Sequence, residues 1–595
     1  MGLLQKAVET YDAMEHLAGV FEDKKEPLAP IGHICTKATI EITVDRNGDF
    51  VQAQKVDQKI IIPVTEKSAN RSGTSVRPHP LCDQLDYLCG SNEAKKTAYL
   101  KQLEEWVDWS SEKAYEKLKP IMTYVANGTM VNDLTKTGLL KFNENGTIKN
   151  TRDVICWRVV GVGDGDTAVW TDRELYKNHI DRYFQKINNG MTQISMISGK
   201  RGPMAALHMK GVYAPASSAK IISSNDSTNF TYRGRFLNAE EALTIGYVDS
   251  QKAHNALKWI VANQGVSIGK RVFVCWNPQG QEVPMPAFPI INNNEQKRKP
   301  TEYKSDLYKT ILGYKQSLPE RADVVTASFE AATPKSGRLA VTYYNELQGS
   351  DFLDRLQYWD ETCCWYDSQW GTSSPLIRNI IRFAFGVQRG NEESSKVEVD
   401  EKIMGQFFQR IMVCRIEKAA IPIDIVRALI QRTHNPLAYN RKNRKQLQFI
   451  ACAVIRKYKL DRFKEEWDMA LEPEKKDRSY QYGRLLAVLE KAERDTYDND
   501  EKREPNAIRM QSVFVQRPGY ATKIIVDQIK SAYYPRLKPG QRVYYEKLIG
   551  EIMQVISEAG DEFYNKPLDE TYILGYYLQK NSFYTKKAEA EEEAE

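Results

Sequence analysis

Residues 199–236 carry the side chains best suited to chemistry in this sequence, and that chemistry is anion binding. The stretch reads GKRGPMAALHMKGVYAPASSAKIISSNDSTNFTYRGRF and holds six lysines and arginines against one carboxylate, Asp226. Its pattern predicts a long ordered loop, with at most a short strand at 219–223. Backbone amides, hydroxyls and cationic groups hold phosphates and reach base edges. We name this stretch loop B; the alternative is a solvated surface loop whose charge bias has no function.

A second polar, turn-rich stretch lies nearer the N-terminus. Residues 65–80 read TEKSANRSGTSVRPHP and follow a predicted strand. We name this stretch loop A. It offers hydroxyl, amide and guanidinium groups of the same kinds as loop B.

A basic segment at 402–462 supplies a separate charge argument. It contains fourteen lysines and arginines but only three acidic residues, whereas the whole 595-residue chain has a formal net charge of +6. Opposite charges at i, i+4 stabilise helices and like charges destabilise them. The segment therefore indicates helices that face a polyanion, and nucleic acid is the favoured one. The alternative is an unscreened basic surface.

Several enzyme and membrane classes lack support in the sequence. GxxxxGK[ST], HExxH and GxSxG motifs are absent, and the nine cysteines and seven histidines show no metal-ligand spacing. Asp164 and Asp166 are the nearest approach to a paired carboxylate site, so an unrecognised nuclease stays a weak alternative. No apolar run approaches the roughly 20 residues that span a bilayer. We expect a non-enzymatic cytoplasmic protein without cofactor, metal or membrane partner.

Two kinds of elements position these stretches. Alternating strands at 36–44, 50–54 and 59–64, with a tight turn at Asn47-Gly48, predict antiparallel hairpins in the N-terminal half. From residue 350 onward, only helical periods are found. The fold class is therefore α+β, with a mixed α/β N-terminal region followed by an all-α bundle. We predict four domains: a DNA-recognition region at 1–300, a connecting α/β region at 301–400, a basic helical module at 401–468 and a C-terminal helical bundle at 469–595.

Several stretches together resemble one family, the large subunit of the type I-C CRISPR surveillance complex. KSANRSGTSVRPHPLCDQLDYLCG resembles a basic loop leading into a helix, and VICWRVVGVGDGDTAVW resembles a strand, turn and strand of that family. Loop B resembles its most recognisable segment, although Ala219-Lys220 replaces a usual Gly-Ala. YQYGRLLAVLEKAE resembles the signature of its C-terminal bundle. The similarity extends across the chain in the expected order.

The resemblance implies a subunit at the 5′ end of a guide-RNA complex. Such a subunit recognises a short protospacer-adjacent motif in double-stranded DNA, promotes R-loop formation, holds the displaced strand and helps recruit a helicase-nuclease. Candidates for motif recognition and duplex wedging are Asn70, Arg71, Ser72, Arg77, Lys200, Arg201, Lys210, Ser217, Ser218, Lys220, Asn225, Arg233 and Arg235. Candidates for the displaced strand are Arg410, Arg415, Lys418, Arg441, Lys442, Arg444, Lys445, Arg456 and Lys457.

The resemblance also implies the partners. They are the guide RNA, target duplex, displaced strand, backbone and 5′-handle-binding subunits, and the helicase-nuclease. Genes of this family often yield a small subunit by internal translation, and Met469, just before the bundle, is the candidate start. Two other interpretations stay open besides the nuclease: a general single-strand-binding or repair scaffold that needs no guide RNA, and a purely structural assembly subunit.

Overall fold

The chain divides into two compact units. A computed structural model describes residues 2–72, 75–110, 112–163, 167–188, 192–223, 235–237, 239–291, 296–331, 337–390, 392–498, 501–558 and 565–592. Unit 1 comprises residues 1–283 and 323–346, and unit 2 comprises residues 284–322 and 347–595. The α+β class predicted from the sequence is confirmed.

Unit 1 contains these elements in chain order: α1 (Leu3–Ala13), β1 (His33–Asp45), β2 (Phe50–Pro63), α2 (Glu66–Ala69), α3 (Leu85–Leu88), α4 (Glu93–Trp109), α5 (Glu112–Asn127), α6 (Met130–Lys136), β3 (Ile155–Val160), α7 (Arg173–Asn188), β4 (Thr192–Ile194), β5 (Arg201–Pro203), α8 (Ala239–Ala242), α9 (Tyr247–Gln264), β6 (Val266–Ile268), β7 (Arg271–Trp276), β8 (Asp323–Ala331) and β9 (Leu339–Gln348).

Unit 1 contains a three-stranded sheet with strand order β2-β1-β3. The turn between β1 and β2 forms as predicted, because Gly48 adopts a φ of +88° and the Asp45 carboxylate accepts hydrogen bonds from the backbone of Asn47 and Asp49. β1 pairs antiparallel with β2 and parallel with β3. Helices α4, α5 and α6 cover this sheet around the buried Trp106 and Trp157.

The second sheet of unit 1 has the strand order β6-β7-β8-β9. Helices α1 and α9 pack on it around Leu257, Val274 and Phe329. Part of loop B is built into the same core, since Tyr213 and Ala219 are buried there. The core thus fixes the middle of a segment that contains little regular structure.

Unit 2 is mainly helical. Its elements are α10 (Pro300–Ser317), α11 (Gly349–Thr362), β10 (Trp365–Asp367), β11 (Gly371–Ser373), α12 (Ile377–Phe385), β12 (Val387–Gln388), β13 (Val397–Glu398), α13 (Glu401–Glu417), α14 (Ile423–Thr433), α15 (Arg441–Phe463), α16 (Arg478–Arg494), α17 (Asn506–Arg509), α18 (Gln511–Gln516), α19 (Pro518–Gln528), α20 (Pro539–Glu558) and α21 (Thr571–Glu592).

Helices α16 and α21 cross at glycines. A Cβ atom at Gly483 would lie 1.8 Å from the carbonyl oxygen of Tyr572, and one at Gly575 would lie 2.0 Å from that of Tyr480. The glycine in YQYGRLLAVLE therefore permits a close backbone approach.

The expectation that strands end before residue 350 is corrected. β10 pairs with β11, and β12 pairs with β13, in two short antiparallel hairpins of unit 2. Strands of two or three residues are too short to show an alternating apolar pattern, which is why the sequence did not indicate them.

Candidate nucleic-acid interface

Loop A begins with the short helix α2 and is fixed by a buried carboxylate. The Thr65 hydroxyl accepts a hydrogen bond from Ser68 N at 3.1 Å and so caps α2. The Arg71 guanidinium donates two hydrogen bonds to the Asp83 carboxylate, at 2.5 and 2.7 Å, and lies 4.5 Å from the centre of the Tyr87 ring. Asp83 is fully buried, so this bidentate pair fixes the path of loop A.

Loop B is fixed at two points. Just before it, at the turn between β4 and β5, the hydroxyls of Ser195 and Ser198 each donate to Asp249 Oδ2 at 2.5 Å. Further along, Gly211 N donates to Ala219 O at 3.0 Å, and Gly211 has a φ of +73°. These contacts give the predicted loop a defined path over its described residues.

The structure brings loops A and B together although about 140 residues separate them. Glu66 Oε1 accepts a hydrogen bond from Ala206 N at 3.1 Å. Lys210 Nζ donates to Arg71 O at 2.7 Å. Burial raises the pKa of Glu66 to about 7, although hydrogen bonds from the backbone of Leu207 and Ala206 oppose this shift. Two hydrogen bonds, both donated by loop B and accepted by loop A, therefore join two stretches to which the sequence assigns the same function.

The joined loops concentrate positive charge. Burial and the positive charge of Arg71 lower the pKa of Lys210, and burial and Lys210 lower the pKa of Lys220. Burial also lowers the pKa of Lys258, on α9, to about 8, and Lys210 contributes to that shift. Lys220 makes no ion pair with any residue that the structure describes. We name Arg71, Lys210, Lys220 and Lys258 the cationic cluster. Arg71 already pairs with Asp83, so the repulsion that an external anion would relieve is mainly that among the three lysines.

The other predicted residues of the two loops differ in exposure. Asn70 is half-buried, as are Arg71, Lys210 and Lys220. Its side-chain amide donates a hydrogen bond to Glu66 O at 2.9 Å. The exposed candidates are Ser72, Arg77, Lys200, Arg201, Ser217, Ser218 and Arg235. Asn225 and Arg233 lie outside the described residues.

The basic segment of unit 2 is built differently, and the expectation that its cations lack carboxylate partners is corrected. Arg415 and Asp360 form a fully buried pair, with nitrogen–oxygen distances of 2.9 and 3.0 Å. Burial raises the pKa of Asp360, although Arg415 opposes the shift. Arg415 also donates to the carbonyl oxygens of Pro286 and Phe288. Its burial leaves no surface through which Arg415 could contact a strand.

Three more of the predicted strand-binding cations are held inside unit 2. Arg444 donates twice to Glu504, at 2.9 and 3.1 Å. Lys457 pairs with Asp461 at 3.1 Å and is 1% exposed. Arg456 donates to three backbone carbonyls. These side chains hold helices together.

The remaining predicted cations of unit 2 reach the surface. Arg410 pairs with Asp424 at 2.6 Å, and Lys418, at the end of α13, lies 4.4 Å from the Tyr358 ring. Lys445, half-buried, donates to a carboxylate at 2.9 Å. Arg441, whose nearest carboxylate oxygen is 3.5 Å away, and Lys442 are both exposed.

Sequence reasoning missed the residues that position the loops. Glu66 and Asp83 stand in or beside loop A as ordinary acidic residues, and Asp249 and Lys258 stand on a helix. The repeated Ser and Asn of the loops signal hydrogen bonding, but no sequence spacing connects them with these partners. Among the described residues there is no group of three or more His, Cys, Asp or Glu side chains suited to a metal ion. Asp164 and Asp166 lie outside the described part of the chain.

Met469 lies between α15 and α16, in a segment without regular structure. It is nine residues before Arg478, the first residue of α16. A chain that started at Met469 would therefore contain every element from α16 to α21.

Comparison with protein families identifies the class of the chain. The model of the family described as CRISPR-associated protein (Cas_Csd1) matches residues 8–584. The chain belongs to this CRISPR-associated family. The match covers both units, in agreement with the resemblance to the type I-C large subunit that the sequence carries.

Two further findings accompany the family match. A search of curated proteins gave no match. Within the described ranges, no helix combines the length and apolar composition needed to cross a membrane.

Proposed function

We propose that the protein is the large subunit of a type I-C guide-RNA complex and that loops A and B read the protospacer-adjacent motif in double-stranded DNA. It promotes R-loop formation, stabilises the displaced strand and helps recruit a helicase-nuclease. In this role the protein binds DNA and does not cleave it. Base pairing with the guide RNA supplies the rest of the sequence specificity.

The observation that carries the proposal is the joining of loops A and B around the cationic cluster. Lys210 and Lys220 are half-buried beside other cations. Their surroundings suit phosphate groups, while the exposed Ser72, Ser217 and Ser218 offer hydroxyls that can contact base edges. Phosphate contacts set the position of the protein on DNA, and base contacts give the specificity.

We assign the displaced strand to the exposed cations of unit 2 alone. These are Lys418, Arg441 and Lys442, together with Arg410, whose pair with Asp424 is exposed. A charged track suffices to bind a single strand without sequence preference.

The test is binding of the assembled guide-RNA complex to duplexes with and without the correct motif, at fixed salt. The first variant is Ser217→Ala/Ser218→Ala, which removes two exposed hydroxyls and no charge. We expect it to reduce discrimination between the duplexes by about tenfold, the lower end of the range for lost base contacts. The second is Lys220→Met, which we expect to weaken binding to both duplexes alike.

The matched control is Lys136→Met, which removes an exposed lysine at the end of α6. It should leave affinity and discrimination unchanged. Unchanged discrimination in the double serine variant, with normal assembly of the complex, would show that the motif is read elsewhere.

The same preparation tests two further parts of the proposal. Mass spectrometry of the purified complex should find a small subunit that starts at Met469; its absence would remove internal translation from the account. Incubation of the isolated protein with Mg²⁺ and target DNA should give no cleavage. Cleavage that is lost when Asp164 and Asp166 are both changed would establish the nuclease alternative.

A further inference from the structure

A cavity of about 300 Å³ lies inside unit 2 between the first turns of α15, the end of α16 and α21. It falls at the lower end of the size range of small-ligand sites. Five cationic side chains line the cavity: Arg441, Arg444, Lys445, Arg494 and Lys580. This concentration of lysine and arginine around one cavity is the feature that needs an explanation.

Three carboxylates pair with these five cations. Glu504 accepts from Arg444 and Arg494 and lies 3.5 Å from Arg441. Glu490 accepts from Arg494 at 2.8 Å and from Lys580 at 2.9 Å. The third, Asp367, accepts from Lys445 at 2.9 Å. Each cation thus has a carboxylate neighbour, but five positive charges share three negative ones, which leaves an excess of two positive charges.

One buried polar group of a cavity-lining residue lacks a partner. Arg444 is 7% exposed, and its Nε atom has no hydrogen-bond acceptor. Gln448, on the next turn of α15, is 4% exposed and also lines the cavity. A buried polar group without a partner costs about 1–3 kcal/mol, so a ligand that supplies an acceptor to Arg444 is favoured.

The start of α15 adds to the positive potential. Its first turn contains no acidic residue, although the amino end of a helix already carries partial positive charge. Arg441 and Lys445 lie one turn apart there, so their like charges repel each other.

We propose that this cavity is a binding site for a phosphomonoester, such as the terminal phosphate of a nucleotide or of a nucleic-acid strand. A phosphomonoester near neutral pH carries a charge close to −2, which matches the excess of two positive charges around the cavity. Its oxygens accept from Arg441 and Arg444, and the Gln448 amide donates to the same group. The site is distinct from the cationic cluster of loops A and B, and its occupation does not depend on the guide RNA.

The experiment is isothermal titration of the full-length protein at constant ionic strength. Four probes are used: inorganic phosphate, adenosine 5′-monophosphate, and one short single-stranded DNA with either a 5′-phosphate or a 5′-hydroxyl. We expect saturable binding at one site per chain for at least one of the three probes with a phosphomonoester. We expect the 5′-hydroxyl strand to bind no tighter than the 5′-phosphorylated one. Tight binding of the nucleotide or inorganic phosphate identifies a small molecule as the source, whereas preference for the 5′-phosphorylated strand identifies a strand end.

Two variants and two matched controls locate the site. Gln448→Glu places a carboxylate in the cavity with almost no change of shape, and Arg441→Ala removes the most exposed cation. Each should weaken phosphomonoester binding by about tenfold or more, as expected for a charge-assisted contact. The controls are Gln446→Glu, on the same helix but lining a different cavity, and Arg427→Gln, an exposed arginine of α14. Both should leave the affinity within twofold.

Three results would overturn the proposal. One is the absence of saturable binding by every phosphomonoester probe. Another is equal affinity for the 5′-phosphorylated and 5′-hydroxyl strands, with no binding of phosphate or nucleotide. The third is equal loss of affinity in Gln448→Glu and Gln446→Glu, which would indicate a general charge effect. Circular dichroism and thermal melting of each variant verify that folding is retained, and Arg441→Ala gives a second reading because its side chain is exposed.

Discussion

Lys210 and Lys220 in unit 1, and Arg415 and Lys457 in unit 2, are all partly or fully withdrawn from water, but their neighbours differ. Arg415 and Lys457 lie beside the carboxylates of residues 360 and 461. Lys210 lies beside Arg71, and Lys220 lies near Lys210. A buried cation next to a carboxylate holds a fold together, whereas a cation held next to other cations favours an anion from outside. The clustering of lysine and arginine in the sequence does not distinguish cations that hold the fold together from cations that favour an external anion.

The largest difference we expect between the units is in their response to acid. Burial lowers the pKa of His33, His79 and His208, in unit 1, to about 4. Unfolding returns these histidines to an ordinary pKa near 6.5. Between pH 6.5 and 4 the unfolded chain therefore binds more protons, so the free energy of unfolding falls as the pH falls. Each histidine should contribute roughly 1.4 kcal/mol per pH unit below 6.5.

Hydrogen exchange at pH 7.5, 6.5 and 5.5, followed by mass spectrometry, shows in which unit this acid-induced loss of stability occurs. We expect protection in the core of unit 1 to decrease first. In unit 2, Lys580 and Arg494 hold the pKa of Glu490 at about 2 against the effect of burial, so that ion pair persists in mild acid. Earlier loss of protection in unit 2 would contradict the pKa assignments.

The next largest effect concerns the buried pair of unit 2. Arg415→Met should lower the free energy of unfolding by about 3–5 kcal/mol, because it leaves the Asp360 carboxyl buried without its cation. Urea unfolding measures the change. The control is the double variant Arg415→Met/Asp360→Leu, which removes both charges and should recover most of the loss. A loss below about 1 kcal/mol in the single variant would show that the pair does not hold the fold.

For Lys220→Met we expect the opposite of Arg415→Met: weaker DNA binding without a loss of stability. We expect unchanged or slightly higher stability, since a cation beside other cations is removed, and duplex affinity about tenfold lower as one charge-assisted contact is lost. Lys457→Met is the matched variant in unit 2; it should destabilise the protein because Asp461 loses its partner. Thermal melting and duplex binding, measured on both variants, give the comparison. Similar profiles for the two would remove the distinction between the two kinds of cation.

The smallest effect is expected at Lys418, which has a φ of +55° at the end of α13. Glycine adopts this conformation without strain, so Lys418→Gly should raise the free energy of unfolding by about 0.5–1 kcal/mol. The same change should weaken single-strand binding if Lys418 lies on the strand track. Lys464→Gly, at a φ of +60° after α15, is the control for the backbone effect. A decrease in stability for Lys418→Gly would show that its contact with the Tyr358 ring outweighs the backbone strain.

Local patterns were sufficient to predict much of the fold. The Asn47-Gly48 turn and the strand at 36–44 formed as expected, because turn residues and alternating apolar residues act over a few positions. The strands predicted at 50–54 and 59–64 are instead parts of one strand, β2. Helical spacing runs through residues 95–118, but the structure divides this stretch into two helices, α4 and α5. The chain is extended at Ser110, whose hydroxyl donates to Trp106 O at 2.6 Å. Serine competes for backbone hydrogen bonds in this way, and helical spacing alone does not reveal it.

The residue types of the candidate site could be predicted from the sequence, but the contacts that bring loops A and B together could not. The polar and cationic content of loops A and B indicated an anion-binding surface, but the contacts that join them span about 140 residues. In the basic segment, the missing information was again long-range. Asp360 lies 55 residues from Arg415, and Glu504 lies 60 residues from Arg444. Partners at such separations follow from tertiary packing, which a single sequence does not show.

The most direct test of the central claim is the salt dependence of duplex binding by the assembled guide-RNA complex. Each lysine that contacts a phosphate contributes about 0.9 to the slope of log K against log salt concentration. We predict that Lys210→Met/Lys220→Met reduces the slope by roughly 1.8 and that Lys457→Met leaves it unchanged. An unchanged slope in the double variant, with the complex intact, would contradict the assignment of DNA binding to the cationic cluster of loops A and B.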